Sequence, residues 1–292
     1  MDDTITTIYC LCEDFLRVMH HFDDPQARLS TAEVMTVPLV AATFFGANID
    51  HTRRFLHEYG YMPKMISKSH LNRRIHRIEP TLWRVLFESL ARVFIERNEP
   101  DRTYAVDSLP VPVCDNIRIR RCRIYPLEEG HHHHHHDDAD TPKEEKKSFR
   151  GYIASKRRYF YGLRVHLVVS GAGDPVEFSL AAGSEADVTV FKELNLDLPE
   201  GSIICADKAY TDYDYEDLLE EVGLHLKAQR KKNSKRPMPA WEEFLGKPVR
   251  HYIETVFSQL TNFFPKKIRA VTPKGFELKI VCFLLAFSIQ CL

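Results

Sequence analysis

The chain has no CxxC pair. Its seven cysteines include Cys10 and Cys12, one residue apart, and Cys114 and Cys122, seven residues apart; this spacing argues against a zinc site or a disulfide framework and for reduced thiols. The N-terminus, "MDDTITT", places no basic stretch before an apolar one, so a secretory signal is not expected. A membrane span is not expected either, because the longest apolar run, "IVCFLLAFSI" at 280–289, has about half of the ~20 residues that a bilayer requires. That run reads as a buried terminal helix. Net charge is almost absent at −1, yet it is segregated: the basic "KAQRKKNSKR" (227–236) and "KKIR" (266–269) offset the acidic "YDYEDLLEE" (213–221). A polyanionic partner therefore stays open. What remains is 292 residues, 44% hydrophobic and 28% charged, a soluble, cytoplasmic profile with room for one large domain or two.

Residues 1–99 carry helical periodicity and almost no strand signal. Ser30 and Glu33 form a capping box ahead of "AEVMTVPLVAATFF", with Pro38 implying a late start or a kink. Helices are expected at 50–59, stopping at Gly60, at 67–78 and at 81–97. A short helix, a glycine-containing link and a basic helix are helix-turn-helix-like, which makes Arg73, Arg74 and Arg77 candidates for contacting DNA. After Pro100 the pattern changes. "RTYAVDS" reads as a strand that turns at Pro110, 159–183 as a hairpin, and 202–207 and 224–228 as further strands. Helices at 185–194, 213–222, 249–264 and 274–290 alternate with these strands or follow them. The order implies an α/β fold, a mixed five-stranded sheet flanked by helices and preceded by an all-α domain. Residues 123–149, charged and without apolar periodicity, read as a mobile insertion. Its histidine run, His131 to His136, could bind Ni²⁺ or Zn²⁺ but lacks rigid support; a permissive insertion, natural or engineered, is the preferred reading.

Two strands end in an acid, "YAVD" at Asp107 and "IICAD" at Asp207. If they run parallel and adjacent, both carboxylates meet at the strand ends where α/β folds collect ligands, and a cation between them relieves their repulsion. Glu254, on the helix "RHYIETVFSQL", is the third candidate. Oxygen-only ligands favour Mg²⁺ or Mn²⁺ and phosphodiester chemistry. Each acid alone has an ordinary reading, Asp107 as a turn residue, Asp207 as a helix cap and Glu254 as a solvent-facing helix position. The signal lies in their joint occurrence.

Over about residues 100–290, the stretches "YAVDSLPVPV", "RGYIASKRRYFYGLRVHLV", "IICADKAYTD" and "RHYIETVFSQL" resemble the DDE-type insertion-sequence transposases of bacteria and archaea. The resemblance implies a ribonuclease-H-like catalytic domain at 100–292 behind a DNA-binding domain at 1–99. It matches Asp107, Asp207 and Glu254 to the family's acidic triad, holding two Mg²⁺ or Mn²⁺ ions, and Arg250 to an arginine one turn before the glutamate. Lys247 and Thr261 depart from a tyrosine and a lysine that some relatives carry, the lysine's role passing to Lys266 or Lys267. The implied partners are the terminal inverted repeats, target DNA and a second copy of the chain. A nuclease of the same fold without strand transfer and an inactive DNA-binding descendant are the alternatives. Lys156, Arg157 and Arg158 beside Tyr159, Phe160 and Tyr161, and Arg230, Lys231 and Lys232 in the basic loop, are expected to contact the DNA backbone.

Overall fold

In the computed structural model, residues 1–114, 116–126, 148–153, 157–231 and 233–292 are described, without the side chains of 116, 240–250 and 253. Most of the expected insertion therefore lies outside the described residues. Residues 2–97 form five helices: α1 (Asp2–Val18), α2 (Thr31–Phe44), α3 (Ile49–Glu58), α4 (Lys68–Arg77) and α5 (Pro80–Arg97). The capping box of α2 is present, with Ser30 accepting from the Glu33 amide and the Glu33 carboxylate accepting from the Ser30 amide. Pro38 lies inside α2. This helix is apolar all round and buried along nearly its whole length, the pattern of a core helix rather than a surface one.

The sheet follows with β1 (Thr103–Cys114), β2 (Arg150–Ile153), β3 (Arg158–Ser170) and β4 (Pro175–Ala182). After α6 (Asp187–Lys192) come β5 (Ile203–Ala206), α7 (Tyr213–Glu221), β6 (His225–Ala228), α8 (Ala240–Phe263) and α9 (Pro273–Cys291). Strand order is β2-β3-β1-β5-β6, with β4 beside β3. β2, β1 and β4 pair antiparallel with β3, while β5 pairs parallel with β1 and β6 with β5. A hairpin meander continued by two parallel crossover strands is the ribonuclease-H-like arrangement expected, with the short β2 as a sixth strand. α5 lies on β4, where Phe87 meets Phe178 edge to face at 4.7 Å. α9, with Phe276, Phe283, Leu284 and Leu285 fully buried, packs against α2, α5 and β4. Among the described residues, no single helix is long and apolar enough to cross a membrane.

Two boundaries differ from expectation. α8 begins at Ala240 rather than near 249, because Gly246 and Pro248 interrupt the pattern that marks a helix in the sequence. β1 does not turn at Pro110 but stays paired with β3 as far as Cys114. β5 accompanies β1 only to Val106, so the backbone nitrogens at 108, 110 and 112 lie on the side of β1 that β5 no longer pairs. The Ser108 amide donates to the carboxylate of Asp107 at 2.7 Å, and Pro110 and Pro112 have no amide to leave unsatisfied.

β2 and β4 share one side of β3, and Gly162 marks the junction: its amide donates to Phe149 O, and its carbonyl accepts from the Gly183 amide. A Cβ at Gly162 would lie 2.3 Å from Val111 O and 2.8 Å from Val113 N, both backbone atoms. Gly162→Ala is therefore expected to lower stability by on the order of 3 kcal/mol, readable in a denaturant titration. An unchanged midpoint would show that the junction can open.

Candidate active site

Thr103 to Val106 align with Ile203 to Ala206, and Val106 with Ala206 is the last pair of the parallel ladder. Asp107 and Asp207 are the next residue on each strand, so they leave the ladder together where β1 and β5 part. This position outside the carboxyl ends of adjacent parallel strands comes from backbone register alone. Asp207 is exposed, and its Oδ1 accepts the Ala209 amide at 2.6 Å. The capping reading of this residue is thus met, since one carboxylate oxygen opens the turn at Lys208–Tyr210. Asp107 is largely buried. Burial pushes its carboxyl up to about 6, the Ser108 amide opposes that shift, Asp207 and Asp187 add to it by like charge, and Arg164 opposes it.

Asp187, the first residue of α6, was not singled out by sequence. Arg164 on β3 holds it, Nη1 donating to its Oδ1 at 3.2 Å and to Ser108 Oγ at 3.2 Å. The same guanidinium donates through Nε to Gly183 O at 3.2 Å and through Nη2 to Tyr152 O at 2.9 Å. One side chain thereby fixes β1, β2, α6 and the turn after β4, a use of the guanidinium fork that lysine cannot copy. His166, fully buried on β3, has Nδ1 3.8 Å from Asp187 Oδ1, and neither ring nitrogen has a hydrogen-bond partner among the described residues. Burial pushes its imidazole down to about 4, with Asp187 opposing and Arg164 reinforcing the shift. Tyr210, also buried, has its phenol raised first by burial and then by the negative charges of Asp187, Asp107 and Asp207. No sequence periodicity signals Arg164, His166 and Asp187 as a unit, because they meet only through strand pairing and the packing of α6.

Glu254 is on α8, its side chain 55% exposed and 3.9 Å from His251 Nδ1. α8 is held by Val256, Phe257 and Leu260, all buried, and Val256 packs against the turn containing Gly173. Asp207, Asp187 and Arg164 are the charges that act on Asp107 most strongly. Among the described residues, no three histidine, cysteine or acidic side chains stand close enough to hold a metal ion. The structure brings Asp107 and Asp207 together, adds Asp187, and leaves Glu254 on the face of a neighbouring helix.

The basic candidates divide by what they touch. Arg73, Arg77, Arg157, Arg158, Lys231, Lys266 and Lys267 are exposed. Arg74 is half-buried and donates to Leu29 O at 2.6 Å. Arg230 forms a two-bond pair with buried Glu216 at 2.6 and 2.7 Å, and Arg236 a similar pair with Asp217. Both guanidinium groups lie over the Tyr213 ring, at 5.4 and 5.0 Å. The acidic and basic runs that looked segregated in sequence therefore partly neutralise each other around α7. Lys156, Lys232 and the side chain of Arg250 lie outside the described residues, as does the histidine run.

The family described as "Transposase DDE domain" matches residues 98–289. Two solved structures are distantly similar. A piggyBac transposase synaptic complex with hairpin DNA is 11% identical, with 100% of this chain and 73% of that chain covered at a TM-score of 0.42. A Mos1 transposase paired-end complex with the left transposon end is 10% identical, with 93% and 81% covered at a TM-score of 0.24. No curated protein matches the chain.

Proposed function

We propose, for a chain that belongs to the DDE-domain transposase family, that it cuts DNA at the ends of an insertion sequence and joins the freed 3′ ends to target DNA. The observation that carries this reading is the register that sets Asp107 and Asp207 side by side where β1 and β5 part. These residues suit a divalent cation: the donors are oxygens only, and the carboxyl of Asp107 is raised partly by neighbouring like charge that a cation would offset. Mg²⁺ or Mn²⁺ held there would lower the pKa of an attacking water and stabilise the leaving oxygen. Asp107, Asp207 and Glu254 are the proposed ligands.

The chain's own contribution is placement. Asp107 is fixed by the Ser108 amide and Asp207 by the Ala209 amide, so each keeps an oriented carboxylate. Arg164 keeps Asp187 beside them and offsets part of the local negative charge where a phosphodiester must approach. Helices at 1–99, with Arg73 and Arg77 exposed, are proposed to recognise the terminal repeats. The exposed Arg157, Arg158, Lys231, Lys266 and Lys267 are proposed to hold the backbone, and two copies of the chain to hold the two ends.

The test uses the full chain, Mg²⁺ or Mn²⁺ and a labelled, pre-cleaved element end with plasmid target. Joined product is expected. Cutting without joining would leave a nuclease, and binding without either would leave a DNA-binding protein. Glu254→Gln separates the triad from its alternatives. Because the side chain is 55% exposed, stability should change by no more than about 0.5 kcal/mol, whereas strand transfer should fall by on the order of a thousandfold if the carboxylate is a ligand. Retained strand transfer would remove Glu254 from the site.

A further inference from the structure

The hairpin of β2 and β3 carries two tyrosines that the core does not use. Phe160 and Tyr161 on β3 are buried, but Tyr159 is 51% exposed and its register partner on β2, Tyr152, is 44% exposed. The two rings lie 5.0 Å apart at 54°, and the Arg150 guanidinium sits 4.6 Å from the centre of the Tyr159 ring. Arg157 and Arg158 are exposed at the start of the same strand. A cross-strand aromatic pair supports a hairpin by a few tenths of a kcal/mol to about 1 kcal/mol. That role accounts for the pairing but not for rings left this exposed among three arginines.

The patch is also tied to the carboxylates. Arg164 donates to Tyr152 O with one arm and to Asp187 and Ser108 Oγ with the other. The backbone of the tyrosine hairpin and the Asp187 end of α6 are thus joined through one guanidinium on the sheet that carries Asp107 and Asp207. Sequence-tolerant single-strand sites combine such faces, on which any base can stack, with a basic track for the backbone.

We propose that Tyr152 and Tyr159 form a stacking platform for unpaired bases of single-stranded DNA on the sheet that carries the carboxylate pair. The proposal deepens the transposase reading and rests on it for the source of the unpaired strand.

The experiment measures binding of the full chain, without divalent metal, to a fluorescent oligo-dT and to a duplex of equal length. Tyr152→Ala with Tyr159→Ala should weaken single-strand binding about tenfold or more. Duplex binding, set by phosphate contacts, should change no more than about twofold. Tyr152→Phe with Tyr159→Phe should bind both nearly as the unaltered chain does, since stacking needs the ring and not the hydroxyl. Unchanged single-strand affinity in the alanine pair, or equal loss on both DNAs, overturns the platform.

Should the alanine pair fail to fold, Tyr152→Leu with Tyr159→Leu keeps apolar bulk without a π face and is expected to show the same selective loss. Quenching of 2-aminopurine in the oligonucleotide by the unaltered chain gives an independent readout, and its absence also overturns the proposal. Failure here is distinct from failure of the proposed function. A chain that joins DNA ends while its alanine pair binds single strands normally keeps the function and loses the platform. A chain that never cuts DNA yet shows the selective loss keeps the platform and loses the function.

Discussion

Asp107→Asn is expected to abolish DNA cleavage and, in the same protein, to raise stability in metal-free buffer at pH 8. The loss should be on the order of a thousandfold or more if Asp107 holds the metal as proposed, because the amide cannot replace the anionic carboxylate. The gain follows from the sign of the pKa shift. A carboxyl that titrates at about 6 in the folded chain and at 3.8 when unfolded holds its proton more tightly in the folded state. Stability therefore falls as pH rises from about 4 through 6, and the whole penalty is present above that window. Its ceiling is about 3 kcal/mol at neutral pH. Asparagine carries no such charge and keeps an oxygen for the Ser108 amide. Divalent cation should narrow the gap between the two proteins by stabilising only the one with the carboxylate. Thermal unfolding from pH 4 to 8, with and without Mn²⁺, reads all of this. Equal melting temperatures at pH 8 without metal would show that Asp107 carries no buried-charge penalty.

Arg230→Ala is expected to cost about 3–5 kcal/mol in stability, because it leaves the Glu216 carboxylate buried without its partner. Glu216 is only 8% exposed, and both of its oxygens accept from the guanidinium. A backbone contact to DNA would behave otherwise, with stability kept and a shallower salt dependence of binding. Replacing the pair together, Arg230→Met with Glu216→Leu, should recover most of the loss, since removing both charges also removes their desolvation cost. Urea unfolding of the three variants decides the matter. A neutral Arg230→Ala would return this residue to the DNA contacts that its neighbour Lys231, exposed to solvent, remains free to make.

The carboxylate pair was legible because each acid closes an apolar, strand-like run, and register in a parallel ladder carries the two runs to one level. The continuation of β1 was not legible. Proline at 110 and 112 normally stops a strand, and only the departure of β5 makes those positions an edge where a missing amide costs nothing. Arg164, Asp187 and His166 were hidden for another reason. Each is unremarkable in its own stretch, and their relation depends on α6 settling on β3. The pairing of the basic run with α7 was equally invisible, because linear charge counts show what is available and not what is already matched.

α2 and α9 lie close together in space but near opposite ends of the chain. At 5–20 residues per second, the ribosome takes on the order of ten seconds or more to make the intervening segment. During that time the part of α2 that α9 covers is without its final partner, although α1, α3 and α4, which cover other parts of it, are already made. Synthesis thus sets a waiting period in which one strip of α2 stays exposed while the rest of its surface can already pack. Slow translation of the middle of the message should lower the yield of folded protein without altering a single residue.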